Sequence, residues 1–359
     1  MNILHLTPDF NYADGRSYYV FLLLKYFKRR EHNITLLTNS GDSIDRALKT
    51  GATVIQENFL SRKASFLNSV KLLTEITDKN KIDIIHSHHR YYELLTNTAV
   101  KTSGRKVKTV FTSLSLVKNR YAVEFKSDRI IAVSNCIREM LINRFNVNPE
   151  KISLIPNFAD SEELLLQKAG IDNDLKKIKN EVNILSVGRF HKEKDHLTLL
   201  RAIDKIKNTG KKRVKLTLVG EGEEKESYIN FISERSLNAE IITPQKDLSE
   251  YFMNADICIL SSVRDPFPGF MLQSGLHKKA FIGTDTDGIG ELIREGKNGL
   301  LFQKKNSYEL ATKIDIFIKD KILAEQCGNN LYNNVISKYT EKQVIPEIEE
   351  LYMQFAINN

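Results

Sequence analysis

What most constrains this chain is an alternation that begins twice. Short apolar runs, each followed by a loop and a stretch of helical spacing, start at Ile3–Thr7 and lead through a loop with Asp14-Gly15 into a predicted helix over Tyr18–Arg30. That helix carries Lys and Arg in its last turn, where cations suit the helix dipole. Further strands are predicted at Ile34–Thr38, Thr53–Gln56, Ile82–His86, Val107–Thr112, Arg129–Val133 and Ile152–Ile155. Then Asn183-Ile-Leu-Ser-Val-Gly188 echoes Asn2-Ile-Leu-His-Leu-Thr7, and strands recur at Lys215–Val219, Glu240–Ile242, Ile257–Leu260, Ala280–Thr284 and Gly299–Phe302. Short buried runs between helices predict parallel sheets of βαβ units, an α/β fold with two doubly wound halves. Such sheets take ligands beyond the carboxyl ends of their strands. The hydrophilic stretch Ala169–Glu181 reads as the linker, and helical spacing dominates after Ser307.

Length and composition agree with two domains. A chain of 359 residues exceeds one ordinary core. Hydrophobic residues at 41% and charged residues at 27% are the balance of a folded globular protein. The three cysteines, Cys136, Cys258 and Cys327, lie far apart with no C-x-x-C spacing, which points away from zinc or a disulfide framework and toward a reducing compartment. The first residues run into a strand without a basic leader, and the apolar run Tyr18–Leu24 is too short to span a bilayer. A cytoplasmic protein is expected. Charge is uneven: residues 1–160 hold 24 Lys and Arg against 15 Asp and Glu, and the remainder holds 29 against 30. The excess of +8 therefore sits in the first half, as either a solvated lysine-rich surface or an attractor of anions. A helix over Leu60–Leu73 with Arg62, Lys63 and Lys71, together with Lys25, Lys28, Arg29 and Arg30, fits docking on an anionic membrane or a solvated face over the core. No nucleic-acid motif accompanies the charge.

Three stretches carry chemistry. Gly188-Arg189 through Lys194 lies between a strand and a helix, where two cations beside a positive helix end can clamp a diphosphate or stand exposed in solvent. Leu260-Ser-Ser-Val-Arg-Asp265-Pro-Phe-Pro-Gly269 leaves a buried strand for a helix that carries Phe270 and Gln273. A carboxylate there can accept from sugar hydroxyls and an amide can hold a ribose diol. Thr284-Asp-Thr-Asp-Gly288-Ile-Gly290-Glu291 closes another strand with a glycine-rich loop. Gly220-Glu-Gly222 lacks the third glycine of a dinucleotide fingerprint and reads as a tight turn; Gly210-Lys211 lacks the rest of a phosphate loop. No carboxylate cluster with metal-ligand spacing appears, so no metal is expected.

The ordered set of the Gly15 loop, His86-x-His88, Val133-Ser-Asn135, Ile155-Pro-Asn157, Gly188-Arg189 with Lys194, Val219-Gly-x-Gly222, Asp265-x7-Gln273 and Gly288-x-Gly290-Glu291 resembles glycosyltransferase family 4 over nearly the whole chain. The resemblance implies the GT-B architecture, two Rossmann-like domains facing an interdomain cleft: 1–163 on the acceptor side, 164–339 on the donor side, and a C-terminal helix within 340–359 packing back on the first. It also implies retaining transfer of a sugar from a nucleoside-diphosphate sugar, with a UDP-sugar expected and no cofactor, to a lipid-linked or glycan acceptor in cell-surface glycan or glycolipid synthesis. By position, Arg189 and Lys194 match the pair that holds the diphosphate, Asp265 the acid that contacts the sugar, and Gln273 the residue on the ribose. Gly269 and Phe270 offer backbone amides, Pro244 lies in the stretch Thr243–Gln245 that meets the base, Glu291 closes the glycine-rich loop, and Gly15 admits the donor or acceptor.

The chain departs from the family pattern at three places: an amide, Gln273, replaces the second acid, Asp14-Gly15-Arg16-Ser17 lacks a glycine and an acid, and Ser113-Leu114-Ser115 stands where an active-site histidine is expected. His86, His88 or His89 is the replacement on offer, and His88 is taken with Asp265 as catalytic. A nucleotide-sugar epimerase, or a non-catalytic partner that keeps donor binding, remains open at this stage.

Overall fold

The computed structural model describes residues 1–57, 65–120, 123–163, 181–207 and 213–357. The proposed linker up to residue 180 and Gly210-Lys211 fall outside these residues, as do Arg62 and Lys63 of the proposed basic helix; the observed helix runs Phe66–Lys79. Two compact units emerge, one formed by 1–157 with 341–359 and the other by 158–340.

In the first unit, strands β1 (Asn2–Leu6), β2 (Asn33–Thr38), β3 (Thr53–Gln56), β4 (Ile84–Ser87), β5 (Lys108–Ser113), β6 (Arg129–Ala132) and β7 (Ile152–Leu154) form a parallel sheet in the order β3-β2-β1-β4-β5-β6-β7. The cause is in the runs themselves. Ile3, Leu4, Leu6, Leu36, Leu37 and Ile85 are all fully buried, as a strand covered on both faces requires. Strand order reverses between β1 and β4, where Ile3 faces Ile84 and His5 faces His86. The helix Gly15–Arg29 begins where the Asp14 carboxylate accepts the Ser17 N–H at 3.2 Å. The C-terminal helix Glu341–Ile357 belongs to this unit, with Glu349 accepting from Arg30 at 2.7 Å and Tyr352 fully buried.

The second unit repeats the plan with β8 (Glu181–Val187), β9 (Arg213–Val219), β10 (Ala239–Ile242), β11 (Ile257–Leu260), β12 (Ala280–Thr284) and β13 (Leu300–Phe302) in the parallel order β10-β9-β8-β11-β12-β13. Its order reverses between β8 and β11, where Ile184 pairs with Ile257. One core joins the strand residues Leu216, Ile259 and Ile282 to Leu199, Ile203 and Ile314 of the covering helices. Among the described residues, no helix is long and apolar enough to cross a membrane.

Candidate functional site

The strand order reverses between β8 and β11, and the carboxyl edge of a sheet at such a reversal is the place these folds offer to ligands. The loop after β8 and the loop after β11 are stitched together there. Val263 N–H donates to the Glu193 carbonyl at 2.8 Å, and the Ser261 hydroxyl donates to the Lys194 carbonyl at 3.2 Å. The Lys194 ammonium, from 71 residues earlier in the chain, pairs with the Asp265 carboxylate. Asp265 is 5% exposed, and Ser262 Oγ donates to the same carboxylate oxygen at 3.4 Å. A cation and a carboxylate predicted to grip one ligand thus neutralise each other in the free protein. Arg189 stands exposed on the same loop.

The other residues that the resemblance assigns to the donor lie along this edge. The helix Gly269–Leu276 starts after Pro268, which supplies no side-chain cap, and a Cβ at Gly269 would meet no heavy atom within 4 Å. The space beside its first residue is therefore open, and a helix start favours an anion or polarised hydroxyl. Phe270 is buried against Phe252, Gln273 is half-buried on the body of the helix, and Glu291 is half-buried in the short helix Asp287–Leu292. Pro244 follows β10, half-buried. Gly220 and Gly222 make the tight turn expected of them. Side chains there would come within 2.1 Å of the Gly188 carbonyl and 2.4 Å of the Phe190 carbonyl, and Gly222 has φ +151°. Beneath this turn lies His196, 1% exposed, whose imidazole burial pushes down to about 4 and keeps neutral.

In the first unit, Gly15 opens the helix Gly15–Arg29, and a Cβ at this position would meet no heavy atom within 4 Å, while Arg16 ties the loop through Asp9 at 2.6 Å and Asp14 at 3.1 Å. His88 is placed as a core residue, 2% exposed, and not on an open surface. Its Nε2 lies 3.0 Å from His5 Nδ1, and its ring centroid is 4.2 Å from that of His86. Burial first, then the neighbouring His86, His5 and Arg16, hold its pKa well below the ordinary value, so it stays neutral and packed. His86 bonds the Tyr352 and Thr112 hydroxyls, each at 2.6 Å, and His89 caps the helix Arg90–Ala99. The nitrogens of His5, His86 and His88 all lie within 4.8 Å, close enough to consider a shared metal. Both nitrogens of His86 are committed to hydroxyls and His5 Nδ1 to His88 Nε2, while His5 Nε2 and His88 Nδ1 are buried without a hydrogen-bond partner among the described residues.

Sequence models of two families match in tandem: Glycosyltransferase Family 4 over residues 13–163 and Glycosyl transferases group 1 over residues 167–334. The chain belongs to glycosyltransferase family 4. Among relatives of this family, N-acetylgalactosamine-N,N'-diacetylbacillosaminyl-diphospho-undecaprenol 4-alpha-N-acetylgalactosaminyltransferase of Campylobacter jejuni is 28% identical over 242 residues, 66% of this chain and 63% of that protein. The chain spans about three fifths of such curated relatives' own length, 63% of this one and 58% of an uncharacterized Methanocaldococcus jannaschii glycosyltransferase. The fold matches a Rickettsia africae glycosyltransferase with TM-score 0.82 at 21% identity, over 100% of this chain and 99% of that one. It also matches Anabaena Alr3699/HepE in complex with UDP and glucose, with TM-score 0.81 at 16% identity over 98% and 99%.

For this member of family 4, the acid of the Asp265-x7-Gln273 stretch is buried and paired, and the residue eight positions on is an amide. Sequence reasoning missed Asp287. Its carboxylate accepts the Asp265 N–H at 3.0 Å. The signal available was an acidic residue immediately before Gly288 in a strand-end loop, which alone names no partner.

Proposed function

We propose that this chain is a glycosyltransferase that moves a sugar from a nucleoside-diphosphate sugar, a UDP-sugar in this reading, to an acceptor hydroxyl with retention of configuration. The observation that carries the reading is the meeting of Lys194 and Asp265 at the reversal point of the second sheet, beside the uncapped helix start at Gly269. In this reading Arg189 and Lys194 neutralise the diphosphate as it leaves, the amides near Gly269 and Phe270 add partial positive charge, and neither metal nor organic cofactor is required. Asp265 accepts from hydroxyls of the sugar, Gln273 holds the ribose diol, and the Pro244 stretch meets the base. The leaving phosphate itself takes the acceptor proton, since His88 is buried out of an acceptor's reach. Lys194 must then turn from Asp265 toward the diphosphate when donor arrives.

The acceptor in this reading is a lipid-linked or glycan hydroxyl, used on the cytoplasmic face of a membrane in surface-glycan synthesis. The Campylobacter relative's name specifies a diphospho-undecaprenol acceptor, and the basic first half, with Arg29 exposed and Lys25 and Lys28 half-buried, suits an anionic lipid surface. A thermal-shift screen against nucleoside-diphosphate sugars tests the donor assignment: at least one UDP-sugar should raise the melting temperature, and no response across the panel would overturn it. Flotation with anionic against neutral vesicles tests the membrane assignment, which equal recovery would refute.

A further inference from the structure

We propose that Asp287 is a positioning residue that sets the sugar discrimination of the donor site by fixing the backbone of Asp265. The inference rests on the reading of Asp265 as the group that touches the donor sugar. One turn grips the Asp265 residue from both sides: its N–H donates to Asp287 Oδ2 at 3.0 Å, and its carbonyl accepts the Gly288 N–H at 3.1 Å. The two strand-end loops are pressed together at this point, since a Cβ on Gly288 would lie 1.6 Å from the Pro266 carbonyl oxygen. The Thr284 hydroxyl also donates to the Ser262 carbonyl, so the loop is anchored again three residues before Asp265.

Two costs oppose an aspartate at position 287. Its φ of +43° lies in the left-handed region that L side chains rarely occupy, and it adds a second carboxylate next to Asp265, itself 5% exposed. What offsets them is the contact its carboxylate makes with the Asp265 N–H. An aspartate side chain has two torsions only, so a displacement of its backbone passes almost undiminished to the carboxylate. Holding that one peptide therefore holds the oxygens that face the sugar. None of these contacts touches the diphosphate-binding loop Gly188–Lys194 directly. Asp265 meets that loop through the Lys194 ammonium, a pair that opens in the proposed reading when the diphosphate binds, so nucleotide affinity depends less on Asp287 than sugar preference does.

Asp287→Gly and Asp287→Asn test the proposal on the full chain. Glycine relieves the left-handed strain and deletes the acceptor; asparagine tolerates that backbone and keeps an acceptor oxygen. Calorimetric titration would use UDP, UDP-glucose, UDP-galactose, UDP-N-acetylglucosamine and UDP-N-acetylgalactosamine. The wild type should prefer one sugar over the others by about tenfold or more, as hydrogen bonds to sugar hydroxyls allow. Asp287→Gly should bind UDP within about twofold of wild type and melt within about 3 °C of it, while its sugar preference flattens to within about threefold. Asp287→Asn should restore the preference. A glycine variant that keeps the wild-type preference overturns the proposal, and so does a wild type with none. Failure of the wild type to bind UDP or any of the sugars sinks the donor reading instead.

Discussion

Replacing Lys194 by alanine isolates the pair on which the site turns. The substitution strips the ammonium from an Asp265 carboxylate whose side chain is 6% exposed and leaves it the Ser262 hydroxyl at 3.4 Å. Removing one partner of a fully buried ion pair costs ~3–5 kcal/mol, because the other charge is left without compensation. The Lys194 side chain is 22% exposed, so water partly fills the space it leaves, and the expected loss falls to about 2–3 kcal/mol. Asp265→Asn alone frees a lysine that can turn to solvent and should cost about 1 kcal/mol. Combining the two removes the orphaned charge, so the double variant should be more stable than Lys194→Ala, with a coupling energy of about 1–2 kcal/mol. Urea unfolding followed by circular dichroism gives these values from the transition of the second unit. A Lys194→Ala loss under about 0.5 kcal/mol, or strict additivity in the cycle, would refute the reasoning.

Further tests address the scaffold around the site. Burial pushes His5 down to about 3, and His86 and His88 lie well below their ordinary value, while the unfolded chain titrates near 6.5. Below that pH only the unfolded state takes up these protons, so stability is full above about pH 6.5 and falls toward pH 3. His5 alone should cost the first unit about 2 kcal/mol between pH 7 and pH 5, and a melting temperature flat over that range would contradict the cluster's burial. Glu93, fully buried, accepts the N–H groups of Phe125, Lys126 and Ser127 at 3.0, 2.7 and 3.0 Å. Glu93→Ala should therefore lose about 3 kcal/mol in urea unfolding, and a change within about 0.5 kcal/mol would show those donors find other partners. Gly288→Ala drives a methyl into the Pro266 carbonyl, so the second unit should lose at least about 2 kcal/mol, and a wild-type midpoint would mean the two loops are not in contact.

Much of this fold was legible because its strands are apolar on both faces. Thr53–Gln56, Ile257–Leu260 and Ala280–Thr284 lie where the sequence pattern puts them, and Ile82–His86 shifts to Ile84–Ser87 because Ile82 and Asp83 still belong to the approach to β4. The loop around Asp265 was legible through its prolines and Gly269, which punctuate a strand-to-helix turn. Pairings across the fold were not. Lys194 and Asp265 were each assigned to a ligand, yet they meet each other, a contact made only when β8 and β11 become neighbours. The histidines at the end of β4 read as a possible open site, and only the register that sets His5 against His86 reveals a closed cluster. Asp287 escaped notice for the same reason: its partner is a backbone N–H 22 residues away.

The central claim is that Arg189 and Lys194 hold a donor diphosphate. Calorimetric titration of the UDP-sugar that most raises the melting temperature, into wild type and into Arg189→Ala with Lys194→Ala, tests it directly. Two charge-assisted contacts at ~1.5 kcal/mol each predict a loss of about 100-fold in the double variant, with its circular dichroism spectrum retained. Equal affinity in the two proteins would contradict the account.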